Sequence, residues 1–154
     1  MPELVYEFSY HADLEAPTFV GQGPGPYGQR LIFGGRGGTF DGDRLKGTLV
    51  PGTVDWFLLG TDGFGRLDAR VTFLTHDGAV LYASYFGLLQ VTPGIMDVLG
   101  GGQTPTEYED HYFRTQPRFE TGDERYAWIN QTYFVAEGRL APGPAVDYRV
   151  YRVT

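Results

Sequence analysis

Apolar and polar residues alternate along most of this chain, with the period expected of β-strands that bury one face. Near the N-terminus, Leu4, Tyr6, Phe8 and Tyr10 occupy every second position. Similar short runs, rich in β-branched and aromatic residues, predict further strands at residues 30–33, 45–50, 54–59, 66–75, 79–90, 112–120, 126–137 and 146–153. One helical turn is predicted at residues 95–99, inside a loop at 93–106. This pattern predicts an all-β fold.

Turn-forming residues separate these strands. Asp77-Gly78 is typical of a hairpin turn, and Pro51-Gly52 indicates a kink between two strand segments. Residues 34–38 contain four glycines and predict a turn or a bulge, and residues 21–28 predict a loop. No linker, repeat or change in composition divides the chain, so residues 1–154 are predicted to form one domain. Eight or nine antiparallel strands close into a barrel or pack as a sandwich.

The amino-acid composition argues against several classes of protein. The 23 glycines and 10 prolines accompany 11 tyrosines and 11 phenylalanines, a combination that disordered and collagen-like chains lack. The net charge is −7 and no basic stripe is present, which argues against a nucleic-acid partner. There is no apolar run long enough to span a membrane and no secretory signal, so a cytoplasmic location is predicted. Without cysteine, thiolate catalysis and Cys-ligated metals are excluded.

Candidate chemistry lies on the strand at residues 66–75. One of its faces is apolar, whereas the other carries Arg66, Asp68, Arg70 and Thr72. That polar face either meets solvent or lines a polar barrel lumen. Asp68 and Arg70 project in the same direction, and Arg118 and Glu120 repeat the arrangement. Such pairs fit a carboxylate that moves a proton beside a cation, or a structural salt bridge.

Motifs for common cofactors are missing. The glycines at 34–38 lead into a strand rather than the helix that a dinucleotide site requires. His11, His76 and His111 have no spacing that places two of them on one face of an element. We therefore predict a protein without a cofactor and without a metal.

A series of short motifs resembles the bacterial and fungal family called "domain of unknown function 3237". The series runs over nearly the whole chain, and its most specific part is residues 119–130, with the sequence FETGDERYAWIN. The resemblance implies a lipocalin-like or allene-oxide-cyclase-like barrel, often dimeric, with some relatives linked to cofactor-free ring closure by addition of a hydroxyl to an alkene. Matching residues carried over as pocket candidates are Asp55, Trp56, Asp68, Arg70, Tyr82, Trp128 and Asn130. Thr53-Val54 and Leu88-Leu89 depart from the family's pattern.

Three functional hypotheses follow. The first is a cofactor-independent cyclase or isomerase acting on a hydrophobic oxygenated small molecule, as a homodimer. Its predicted catalytic residues are Asp68, Asp55 and Arg70, and its predicted substrate-binding residues are Trp56, Tyr82, Arg118, Trp128 and Asn130. The second is a carrier barrel that binds a lipophilic molecule without chemistry, since a fold alone does not decide function. A structural dimer with a filled barrel is a third alternative.

Overall fold

The computed structural model describes all 154 residues and contains ten strands, one short α-helix and one 3₁₀-helix. Every strand pair is antiparallel. The strands are β1 (Leu4–Leu14), β2 (Thr18–Phe19), β3 (Gln29–Gly42), β4 (Gly47–Leu49), β5 (Val54–Leu59), β6 (Phe64–Thr75), β7 (Val80–Gln90), β8 (Phe113–Glu120), β9 (Phe134–Ala141) and β10 (Ala145–Val153). The helix α1 is Pro93–Leu99, and the 3₁₀-helix is Glu124–Gln131. Neither helix has the length and apolar character needed to cross a membrane.

The sheet closes on itself as a barrel. The order around it is β1, β10, β9, β8, β7, β6, then β4 and β5, then β3, which pairs with β1 again. Strands β4 and β5 share one place between β3 and β6, because the Pro51-Gly52 kink divides that strand in two. The short β2 pairs only with β3. The barrel therefore has eight strand positions around its circumference, within the predicted eight or nine strands, and the alternative of a sandwich is wrong.

The inward faces of the strands are predominantly apolar. Burial alternates residue by residue along β6, where Leu67, Ala69, Val71 and Phe73 point inward and Arg66, Asp68 and Arg70 point outward. The same alternation runs along β7, β8 and β9. Burying these alternate side chains drives closure through the hydrophobic effect. The interior is thus apolar, and the alternative of a polar lumen lined by the Arg66–Thr72 face is wrong.

The two ends of the barrel differ. The lower end carries the β6–β7 hairpin and the 3₁₀-helix, and the upper end carries α1 and the loop that follows it. The lower end is filled by what we call the phenylalanine cluster, whose ring centroids lie 5.1–6.1 Å apart in mostly edge-on contacts. Its members are Phe8, Phe40, Phe73, Phe119 and Phe134.

One predicted strand is wrong over its first half. The alternation of residue types predicts a strand at residues 126–137. In the structure, Glu124–Gln131 forms the 3₁₀-helix and β9 begins only at Phe134. Local hydrogen bonds explain the difference. Asp123 caps the helix by accepting from the Arg125 amide at 3.0 Å, and the Tyr126 hydroxyl donates to Asp77 at 2.8 Å. These bonds outweigh the alternation of residue types, which by itself favoured a strand.

The glycine-rich residues 34–38 form no separate turn. They lie inside β3, and the pairing of β1 with β3 shifts register nearby, between Asp13 and Leu14. A Cβ atom at Gly38 would collide with the carbonyl oxygen of His11, so glycine allows the two backbones to approach. The predicted bulge is confirmed, and the alternative of a turn that ends the strand is wrong.

Candidate functional site

A cavity of about 60 Å³ lies in the upper half of the barrel interior. Fifteen residues line it, of which 13 are hydrophobic. Asp55 is the only charged residue among them, and no arginine, lysine or histidine reaches the cavity wall. Nearly every strand contributes to the lining, and Leu99 of α1 closes part of the upper end. An apolar wall with few polar groups is the usual lining of a small-molecule site, although such sites usually enclose roughly 300–1,000 Å³.

Asp55 enters the cavity because it sits on the inward face of β5. It pairs with Phe33 of β3 and with Ala69 of β6, and both of these point inward. The β5–β6 pairing stops after Asp55 and resumes at Leu58 with Arg66. In this gap the backbone amide of Asp68 donates to Asp55 Oδ1 at 3.0 Å. The carboxylate therefore replaces a missing backbone acceptor and is held in one orientation.

Burial raises the pKa of Asp55 to about 7, because the apolar wall disfavours the charged carboxylate. The Asp68 amide and the more distant Arg30 oppose this rise, whereas the negative charge of Asp68 adds to it. A carboxyl group with a pKa near neutrality changes readily between acid and base at physiological pH. Such perturbed groups in clefts are candidates for catalysis.

Three tyrosines lie near Asp55 and form what we call the tyrosine group: Tyr10, Tyr85 and Tyr148. All three are buried, and Tyr85 and Tyr148 line the cavity. The rings of Tyr10 and Tyr148 stack with centroids 4.7 Å apart. Burial raises the pKa of all three phenols, and the negative charge of Asp55 raises each further. They are therefore neutral hydrogen-bonding groups at physiological pH.

Small residues create the space around these groups. Ala69 lies between Asp55 and Tyr85, since it pairs with both across neighbouring strands. Gly138 pairs with Tyr148, and a Cβ atom there would lie 2.6 Å from the Phe113 ring and 2.9 Å from the Tyr148 ring. A larger residue at Gly138 would press on two rings that line the cavity. The shape of the cavity thus depends on Gly138 as well as on the residues with chemistry.

Of the predicted catalytic residues, only Asp55 reaches the cavity. Asp68 and Arg70 point to the outside of the barrel, where Arg70 donates to Asp68 at 2.6 Å. Their side chains are 40% and 51% exposed. The two residues share a strand face, as the sequence indicated, but it is the outer face because Leu67, Ala69 and Val71 occupy the inner one. The structure therefore favours the alternative of a surface salt bridge for this pair.

The predicted substrate-binding residues also lie away from the cavity. Trp56, Tyr82 and Arg118 are exposed on the outside of the barrel. Trp128 lies at the lower end beneath the Arg44 guanidinium, 3.7 Å from the ring centroid. The Asn130 side chain pairs with the Thr121 backbone through two hydrogen bonds of 2.9 Å. The outer face with Trp56, Tyr82 and Arg118 offers a surface for the homodimer that the resemblance implies. The homodimer itself stays a prediction.

Sequence reasoning missed the tyrosine group. Tyr85 shares a strand face with Leu81, Ala83 and Leu89, and Asp55 shares one with Phe57. The usable signal is therefore a polar side chain on the more apolar face of a strand, because that face is the one that turns inward. Clusters of polar residues lie on the outer face instead, so clustering alone points away from the cavity.

Comparison with other proteins places the chain among bacterial relatives. The sequence matches the family described as "Protein of unknown function (DUF3237)" over residues 2–153. A UPF0311 protein of Rhodopseudomonas palustris is 34% identical over 134 residues, covering 86% of this chain and 85% of the relative. A UPF0311 protein of Clostridium acetobutylicum is 31% identical over 137 residues, covering 86% and 84%.

Solved structures share the barrel. The structure of a conserved protein of unknown function from R. palustris has a TM-score of 0.86 at 30% identity, covering 100% of this chain and 99% of the other. A beta-barrel like protein from Acinetobacter baumannii has a TM-score of 0.81 at 26% identity, covering 100% and 97%. An enzyme from Penicillium herquei has a TM-score of 0.68 at 19% identity, covering 99% and 95%, a likeness of fold alone.

Proposed function

The chain belongs to the family described as "Protein of unknown function (DUF3237)", and we propose that it is a cofactor-independent enzyme that uses Asp55 to transfer a proton inside the barrel cavity. The substrate is a hydrophobic, oxygenated small molecule, and the reaction is a cyclisation or isomerisation within that molecule. The proposal keeps the predicted chemistry and, of the three predicted catalytic residues, retains Asp55 and drops Asp68 and Arg70.

One observation carries this proposal. Asp55 is the only charged residue on the wall of an otherwise apolar cavity, and its pKa is raised to about 7. A carboxylate placed there purely for stability would be costly, since the Asp68 amide donates to it but no cation on the wall offsets its lost hydration. Proteins retain such groups at functional sites, where acid–base chemistry near neutral pH offsets the cost.

Ring closure of a hydroxy-enone illustrates a balanced reaction. The Asp55 carboxylate accepts the proton of the substrate hydroxyl, and the alkoxide oxygen attacks the far carbon of the conjugated double bond. A carbon–oxygen bond forms, and the electron pair of the double bond moves to give an enolate. The enolate carbon then takes the proton back from Asp55. No further reactant is needed, and the cavity wall contributes by orienting the reacting end of the substrate.

The proposal is tested with a linear hydroxy-enone whose hydroxyl closes a five-membered ether ring. The loss of enone absorbance measures the rate, and NMR in D₂O detects one deuterium at the carbon next to the carbonyl. The wild-type protein should accelerate closure, and the rate should fall as pH drops below about 7, because the basic form of Asp55 is lost.

Two variants make the test specific. Asp55→Asn keeps the acceptor oxygen for the Asp68 amide but cannot take a proton, so we expect the background rate. Asp62→Asn is the matched control, because Asp62 pairs with Arg66 on the outside and should leave the rate unchanged. The proposal is wrong if the wild-type protein does not accelerate closure, or if Asp55→Asn is as fast as the wild-type protein.

A carrier is the second candidate, favoured by the predominantly apolar wall of the cavity. A carrier would bind the hydroxy-enone and release it unchanged, with the same affinity for Asp55→Asn. Binding without turnover, measured on the same samples, therefore distinguishes the two functions.

A further inference from the structure

The geometry of the cavity points to a specific mode of recognition. We propose that Tyr85 donates the hydrogen bond that holds a carbonyl oxygen of the ligand opposite Asp55, and that the site therefore selects neutral carbonyl compounds and rejects anions. This inference deepens the proposed function, because it names the substrate class of the same site.

The first argument is the register of the strands. Asp55 on β5 and Tyr85 on β7 both pair with Ala69 on β6, so they lie in one row across the inner wall. Both line the cavity. A ligand group that lies between them is therefore flanked by a carboxyl group on one side and a phenol on the other.

The second argument is the state of the Tyr85 phenol. Tyr85 is buried at the cavity wall, and burial raises its pKa, so the phenol keeps its proton at physiological pH. A neutral phenol has one O–H to donate, which a carbonyl oxygen in the cavity can accept.

The third argument is charge. An anion in the cavity would lose its hydration, would meet no cation on the wall and would lie beside the Asp55 carboxylate. Each of these effects weakens binding, since an unpaired buried charge is costly. A ketone of similar shape loses little hydration by comparison and gains the hydrogen bond from Tyr85.

The volume adds a limit on size. About 60 Å³ is well below the roughly 150 Å³ of a cavity that holds benzene. The cavity therefore receives only the reacting carbonyl end of a substrate, and the rest of the molecule extends toward the upper end, where Leu14 and Leu99 line the cavity.

Binding of butanone and propanoate tests the proposal, because the two are nearly the same shape and differ in charge. Dissociation constants are measured by ¹H–¹⁵N NMR titration at pH 8, following the Asp55 and Ala69 amides. We expect propanoate to bind at least ten times more weakly than butanone. We expect Tyr85→Phe to weaken butanone binding about three- to tenfold, the effect of one hydrogen bond.

Controls separate the hydroxyl from the packing. Tyr82→Phe removes a hydroxyl from the outside of the same strand and should not change butanone binding. Xenon reports the apolar cavity without hydrogen bonding, so Tyr85→Phe should still bind it. The proposal is overturned if propanoate binds as tightly as butanone, or if Tyr85→Phe binds butanone and xenon like the wild-type protein.

Failure of this inference is distinguishable from failure of the proposed function. Selective butanone binding without ring closure of the hydroxy-enone would support the recognition mode and contradict the enzyme. Ring closure that depends on Asp55 but not on Tyr85 would support the enzyme and contradict the role of Tyr85.

Discussion

The lower and upper halves of the barrel interior are built by the same strands and by the same inward alternation, yet they are filled differently. In the lower half the rings of the phenylalanine cluster pack against one another, and Phe8 and Phe73 are almost completely buried. In the upper half a cavity remains, and Asp55, Tyr85 and Tyr148 lie on its wall. The lower half therefore provides stability, and the upper half gives up some packing to hold polar groups in an apolar wall.

This division explains how the fold tolerates the Asp55 carboxylate in an apolar wall. The pKa of Asp55 near 7 means that folding works against the ionised carboxylate at physiological pH. The aromatic contacts below offset that cost, since each buried aromatic side chain contributes several kcal/mol. Function and stability are thus separated along the barrel axis rather than between different strands.

The largest expected effect comes from opening a hole in the filled half. Phe73→Ala should lower the free energy of unfolding by about 3–5 kcal/mol, because it removes a buried ring from contacts with Phe8, Phe40 and Phe119. Leu99→Ala is the comparison in the upper half and should cost clearly less, since Leu99 is partly exposed and already borders the cavity. Urea denaturation measures both. Equal losses would contradict the division into a packed and an open half.

The next effect is a gain of stability in the upper half. The folded protein keeps the Asp55 proton between about pH 4 and 7, where the unfolded chain has lost it, so stability falls with rising pH over this range and stays lowered above it. Asp55→Asn removes this cost and should stabilise the protein at pH 8 by up to about 4 kcal/mol, at 1.4 kcal/mol per pKa unit. Near pH 4 the variant should differ little from the wild-type protein. Denaturation curves at pH 4, 6 and 8 measure this, and no gain at pH 8 would show that Asp55 is not held in an apolar environment.

The smallest effect concerns the outer face. Asp68→Asn breaks an exposed ion pair with Arg70 and should change the free energy of unfolding by less than about 1 kcal/mol. It should also lower the pKa of Asp55, because it removes a neighbouring negative charge. An NMR titration of the Asp55 carboxyl carbon measures that shift. A large loss of stability would contradict the exposed position of the Asp68–Arg70 ion pair. An Asp55 pKa that does not move would contradict the effect of the Asp68 charge on Asp55.

Much of the barrel could be predicted from the sequence. The hairpin at Asp77-Gly78, the kink at Pro51-Gly52 and the division of residues 66–75 into two faces all appear in the structure. These features depend on neighbouring residues alone, through turn geometry and the period of a strand. The strand predicted at 126–137 failed because its first half is held by side chains of Asp123 and Asp77, and Asp77 is distant in sequence.

The strand pattern by itself determined that this chain is all-β and that residues 66–75 have one apolar and one polar face, and the family resemblance added the barrel. Only the tertiary structure decided which carboxylate lies inside. Asp55 and Asp68 are equivalent as residue types, but Asp55 shares a face with Phe57 and turns inward, whereas Asp68 shares one with Arg66 and Arg70 and turns outward. Closure of the barrel brings Asp55 and Tyr85 to either side of Ala69. The environment that shifts the Asp55 pKa thus comes from residues far apart in the chain.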